Sequence, residues 1–229
     1  MNTLKPFLCL LFILSASFYA QNKLIAQNEI TETETKELPV FLDFYASSRG
    51  FGAQAIYKRA LASSNRLGVF SMNMFHATWK NTGNYDREAL SQTYLTFDIV
   101  KGFSANIGYH FSSIDRMRPS FSLMYAYRST DWFIMLMPRV DISENPNVEG
   151  LALLQYTPQF TKNWRFYIRA ELLASRNFAL KEHTRTFGMF FLGLRRGDFT
   201  FGPFANWDMY GKYKEEYFGA GGFLQILLH

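Results

Sequence analysis

Residues 164–174 read WRFYIRAELLA, and their alternation decides the fold class. Trp164, Phe166, Ile168, Ala170 and Leu172 fall on one parity, Arg165, Tyr167, Arg169 and Glu171 on the other. A β-strand points successive side chains to opposite faces, so these sets separate completely. A helix would spread both around its axis.

The same period of two recurs along the chain. In 103–113, Phe103, Ala105, Ile107, Tyr109 and Phe111 oppose Ser104, Asn106, Gly108, His110 and Ser112. Leu95, Phe97 and Ile99 oppose Gln92, Thr96 and Asp98, and Phe199, Phe201, Ala205 and Trp207 oppose Thr200, Asn206 and Asp208. Twelve strands are predicted: 39–48, 51–60, 66–79, 90–100, 103–113, 118–128, 131–142, 148–158, 164–174, 184–195, 198–210 and 216–228. Short connections at 61–65, 101–102, 129–130, 161–163 and 196–197 alternate with longer ones at 80–89, 114–117, 143–147, 175–183 and 211–215. The link at Arg49-Gly50 breaks that rhythm.

An even strand count with alternating loop lengths predicts an all-β chain, a transmembrane antiparallel up-and-down β-barrel of about 12 strands, with both chain ends on the periplasmic side. A soluble sandwich or lipocalin-like barrel would instead turn the apolar face inward. The aromatic residues discriminate. Phe103, Trp132, Trp164 and Phe199 open strands after short turns, on the apolar parity, and Trp79, Phe111 and Trp207 sit near the opposite ends of theirs. Two aromatic belts are what two lipid–water interfaces select.

Composition removes other classes. Aromatics are 18% of the 229 residues, too many for a disordered chain. The single cysteine, Cys9, permits no internal disulfide framework. No apolar run after the N-terminus approaches the ~20 residues of a membrane helix. Residues 1–20 have the layout of a secretory signal: Lys5, an apolar stretch from Phe7 to Ile13, then Ser15, Ala16, Ser17 and Ala20. Residues 21–38 hold TETETKE, with Glu29, Glu32, Glu34 and Glu37 against Lys23 and Lys36, and read as a flexible periplasmic leader. Residues 39–229 remain as the barrel, more basic than the chain's net charge of +5.

This body resembles the outer-membrane β-barrel proteins of Gram-negative bacteria. Their last strand often carries Gly and spaced apolar residues, as Gly221, Leu224 and Ile226 do in GAGGFLQILLH; here the terminal residue is His229 instead of an aromatic. The resemblance implies the fold and location in the cell outer membrane.

With the apolar parity facing lipid, the other parity lines the lumen. Its expected charge network comprises Asp43, Asp98, Arg139, Asp141, Glu149, Arg165, Arg169, Glu171, Arg185, Arg195 and Asp208, with Lys58 and Arg128 on the same parity. Acids and bases nearly balance, as in a paired network and unlike an ion-selective pore. Opposite charges on adjacent strands, such as Glu171 with Arg185 or Arg195, are expected to meet. Phe41, Tyr45, Phe75, Tyr94, Phe133, Tyr167, Phe187, Phe191, Phe204 and Tyr217 add bulk, so a narrow or filled lumen is predicted.

Three functions follow as expectations. The first is a non-enzymatic structural or accessory subunit of an outer-membrane assembly. The second is a narrow porin-like channel for small solutes. The third is a lipid hydrolase. The outer-membrane phospholipase family places a His and a Ser two apart on one strand, beside an Asn, and His110 and Ser112 have that spacing. Their parity is luminal, however, and 118–128 supplies Ser120 and Ser122 without Asn or Asp. Phosphate-cradling and metal-binding motifs are absent, so no cofactor or metal is expected. The expected partners are outer-membrane lipid, lipopolysaccharide at loop lysines such as Lys212 and Lys214, and protein subunits. Nucleic acid is not expected, because the arginines are spread over many strands.

Overall fold

The computed structural model describes residues 39–61, 66–79, 87–113 and 116–229. The export signal at 1–20 and the leader at 21–38 lie outside them. So do parts of the connections predicted at 61–65, 80–89 and 114–117.

Twelve strands follow in order: β1 (Val40–Ser47), β2 (Gly50–Ala60), β3 (Leu67–Thr78), β4 (Arg87–Val100), β5 (Phe103–Ser112), β6 (Arg116–Arg128), β7 (Trp132–Asp141), β8 (Asn147–Tyr156), β9 (Arg165–Asn177), β10 (His183–Arg196), β11 (Phe199–Tyr210) and β12 (Glu215–Leu228). Each pairs with its chain neighbour, and β1 closes on β12 from Val40↔Leu228 to Ser47↔Gly221. Every pairing is antiparallel, so the ring has no open edge. Lys101 and Gly102 alone join β4 to β5, and Gly102 adopts φ +82°, a conformation glycine enters without a Cβ penalty.

Loop lengths alternate less strictly than the sequence suggests. Residues 157–164 link β8 to β9, while 48–49 suffice between β1 and β2. Strand β9 runs on through Ser175, Arg176 and Asn177, because the in–out alternation does not stop at Ala174. Strand β4 begins at Arg87, which draws Glu88 from a predicted loop into the barrel.

The outer wall is apolar. Leu136, Leu154, Ile168, Leu172, Phe190, Leu192 and Phe201 stand exposed on it. Inside, Met72, Met74, Met124, Met135, Met137, Leu151, Leu153 and Phe70 pack into a core that also takes in Phe41, Phe133 and Phe191. A closed barrel with this wall is an outer-membrane β-barrel, and its location is the cell outer membrane.

Candidate functional site

Three arginines organise the polar part of the lumen, each held between two carboxylates. Within a strand, residues two apart share a face, so Arg139 meets Asp141 on β7 and Arg169 meets Glu171 on β9. The second carboxylate comes from elsewhere in the ring. Arg139 takes Glu149 of β8 in a two-pronged grip, with Nε to Oε1 at 3.2 Å and Nη2 to Oε2 at 2.9 Å. Arg169 donates from Nη1 to Asp43 of β1 at 2.8 Å. Arg185 of β10 donates to Asp208 of β11 at 3.1 Å and to Glu88 of β4, across the ring.

Two carboxylates on one guanidinium leave a surplus negative charge and spare lone pairs. Neighbours supply donors for both. Gln54 Nε2 donates to Glu171 at 2.8 Å while its Oε1 accepts from Arg169 at 2.9 Å. Gln225 donates to Asp43 at 2.8 Å, and Gln92 donates to Glu149 at 2.7 Å. Arg49 reaches Asp208 at 3.0 Å, and Arg118 reaches Asp141 at 3.4 Å. Buried charges persist when paired in this way, although the Nε groups of Arg169 and Arg185 are buried without an acceptor.

The central group is buried at mid-height. Asp43, Glu171, Gln225 and Tyr167 are each 0% exposed, and Arg169 is 2% exposed. Phe41 and Phe133, from β1 and β7 on opposite sides of the ring, stack at 5.8 Å between centroids. A twelve-stranded ring lies between sizes that side chains just fill and sizes that stay open, and here large residues meeting across it fill it. Beyond this plug, at the end away from the chain termini, a cavity of about 320 Å³ is lined by Glu88, His110, Ser112, Glu149, Ser175 and Arg185 among others. Among the described residues, no group of His, Cys, Asp and Glu side chains is arranged to hold a metal ion.

The remaining residues of the expected network are placed differently. Asp98 and Arg165 stand at the rim near the chain termini. Asp98 pairs with Lys58 at 2.6 Å and Arg165 with Asp131 at 2.5 Å, both partly in solvent. Their positions at strand ends, where the wall gives way to turns, keep them out of the plug. Arg195 meets no carboxylate within bonding distance. It donates to Gln225 Oε1 at 2.7 Å and lies 5.0 Å from the Tyr167 ring centroid. Glu171 faces Met189 of β10 and Leu153 of β8 in register, so the predicted contacts with Arg185 and Arg195 are replaced by contacts across the lumen. Arg128 is exposed at the end of β6. Phe75 faces outward, 42% exposed, because β3 reverses the usual polarity: Met72 and Met74 point in, and Ser71 and Asn73 share the outer face with Phe75.

The aromatic set Trp79, Phe103, Phe111, Trp132, Trp164, Phe199 and Trp207 all lie on the outward parity at strand ends. Trp132 stacks on Tyr156 at 4.3 Å, Phe103 lies 4.7 Å from Tyr125, and Trp164 meets Phe201 edge-on at 6.4 Å. His110 and Ser112 are both buried and face the lumen, away from lipid.

Sequence reasoning missed Glu88, Gln54, Gln92, Gln225, Arg49 and Tyr210, whose hydroxyl accepts from Arg185 at 3.0 Å and donates to Glu88 at 2.8 Å. The glutamines carry no charge to mark them. Arg49 lay in an assumed turn. The parity of Gln54 and Gln225 with Asp43-type inward positions was the available signal.

No protein-family model matches the sequence, and no curated protein matches it. Among solved structures, the chain is similar to the KdgM porin: 13% identity, TM-score 0.46, covering 84% of this chain and 100% of that one. It is similar to the NanC porin at 11% identity and TM-score 0.46, covering 84% and 99%. LpxR from Salmonella typhimurium matches at 9% identity and TM-score 0.37, covering 83% and 99%.

Proposed function

We propose that this barrel is a non-enzymatic structural or accessory subunit of an outer-membrane assembly, working through its wall and rims and not as a passage. One observation carries the reading: the Arg169 group joins β1, β2, β9 and β12 across the lumen at mid-height, buried from solvent. A diffusion channel needs a wet path with sites weak enough to leave. This lumen instead holds balanced ions committed to one another. The inward orientation of His110 and Ser112 supports the absence of lipid hydrolysis, since they line the lumen cavity and the surrounding membrane lipid lies against the outer wall.

A narrow porin-like channel is the second reading, favoured by the cavity of about 320 Å³ that opens above the plug. It requires the Arg169 group to part. Planar-bilayer recording of the purified barrel separates the two readings. The expected result is no steady ion current from the wild type, and a Glu171→Ala barrel that melts earlier without conducting. Steady conduction by the wild type, with ion selectivity shifted in Glu171→Ala and an unchanged melt, replaces the subunit reading with the channel.

A further inference from the structure

Among the described residues, the apolar outer wall is interrupted at mid-height in one place. On β3 and β4, Ser71, Asn73, Ser91 and Thr93 lie on the outward parity near the middle of their strands, Ser71 buried under its neighbours and the other three half-buried. They form one hydrogen-bonded cluster. Ser91 Oγ donates to Asn73 Oδ1 at 2.7 Å, Asn73 Nδ2 donates to Ser71 Oγ at 2.9 Å, and the Ser71 and Thr93 hydroxyls lie 2.9 Å apart. Small residues adjoin it on one side, Ala53 and Ala55 on β2 and Ala89 on β4, while Tyr57 lies beside Ser71, and Tyr109 and Phe111 lie beside Thr93 and Ser91. Phe51 and Phe75 bound it on one side and Leu95 and Phe97 on the other, all exposed. Elsewhere among the described residues, mid-wall outward positions are apolar. Thr186 lies nearer the rim and is bonded to His183.

Polar groups at membrane depth are costly against lipid and mark contacts with protein. Small neighbours let two backbones approach closely. We propose that this patch is a homodimer contact, in which the β3–β4 wall of one copy seats the same wall of a second. Three features select a second copy. Every member of the cluster is neutral and able both to donate and to accept, so the patch is complementary to itself. A charged partner would bury an unpaired ion in the membrane. Copies of one exported chain insert in one direction, so a two-fold axis along the membrane normal brings the patches together at equal depth.

The inference rests on the reading that the barrel acts through its wall, and its test is independent of ion conduction. Full-length protein carrying Cys9→Ser receives Ala55→Cys or Ala89→Cys beside the cluster, or Leu172→Cys on the opposite wall as control. A bismaleimide is then applied to outer-membrane vesicles. The patch cysteines are expected to give a homodimer and Leu172→Cys none. Adding Asn73→Leu lowers the dimer yield by about tenfold, the scale of one interfacial hydrogen bond in a membrane, while the heat-modifiable gel shift of the folded barrel is retained. Ser91→Ala serves the same purpose if Asn73→Leu fails to fold. Equal linking at Leu172, no dimer at either patch site, linkage to a different protein, or a yield indifferent to the cluster substitutions overturns the homodimer. A conducting wild type would remove the subunit reading and leave this result standing.

Discussion

The Arg169 group and the Lys58–Asp98 pair are made of the same kinds of ion, set at different depths in one barrel. In the first, the Arg169 and Asp43 side chains are 1% and 0% exposed; in the second, Lys58 and Asp98 are 24% and 40% exposed. At the rim, water solvates whichever ion loses its partner, so the pair adds little. At mid-lumen no water replaces a lost partner, and the ions left behind bear their full desolvation cost. Depth, and not the number of ion pairs, decides what each contributes.

The sharpest break in this comparison is Arg169→Ala. It leaves Asp43 and Glu171 as adjacent buried carboxylates and is expected to cost roughly 3–5 kcal/mol, read from thermal or denaturant unfolding of the purified barrel. Replacing Arg169, Asp43 and Glu171 together by apolar residues of similar size should lose less than Arg169→Ala alone, because nothing charged is left unpaired. A triple variant as unstable as the single one would mean that packing, not charge, holds the plug. Met135→Ala, in the apolar part of the lumen, should cost about 2–5 kcal/mol through the cavity it opens. A negligible loss there would show that this part of the lumen is hydrated. The smallest effect belongs to Lys58→Ala, at ~0–1 kcal/mol and fading with added salt. A loss comparable to that of Arg169→Ala would erase the distinction between rim and centre.

Much of the ring was legible from local pattern. The WRFYIRAELLA alternation reappears as β9 with Tyr167, Arg169 and Glu171 inside and Phe166, Ile168 and Leu172 outside. The lumen parity put Arg139, Asp141, Arg169 and Glu171 on the right face, but their pairing along one strand, which the two-residue spacing carried, went unread in favour of pairs between adjacent strands. The third arginine group was obscured because Glu88 sat in a stretch read as loop, so its partner Arg185 had no visible acid across the ring. Phe75 was misplaced by a rule that fails on β3, where polar side chains look outward and methionines inward. That failure is itself informative, since it coincides with the polar patch on the wall.

The sequence by itself determined the strands, their two faces outside β3 and the outward parity of the strand-end aromatics, because these depend on the chain's period of two and on what lipid and water accept at each depth. Which inward ions meet was decided by the tertiary structure. Asp43 and Arg169, or Glu88 and Arg185, are far apart in sequence and on strands that are not neighbours. Their contact depends on the register of every intervening pair, on the closure of β1 onto β12, and on side chains long enough to cross the ring that closure defines.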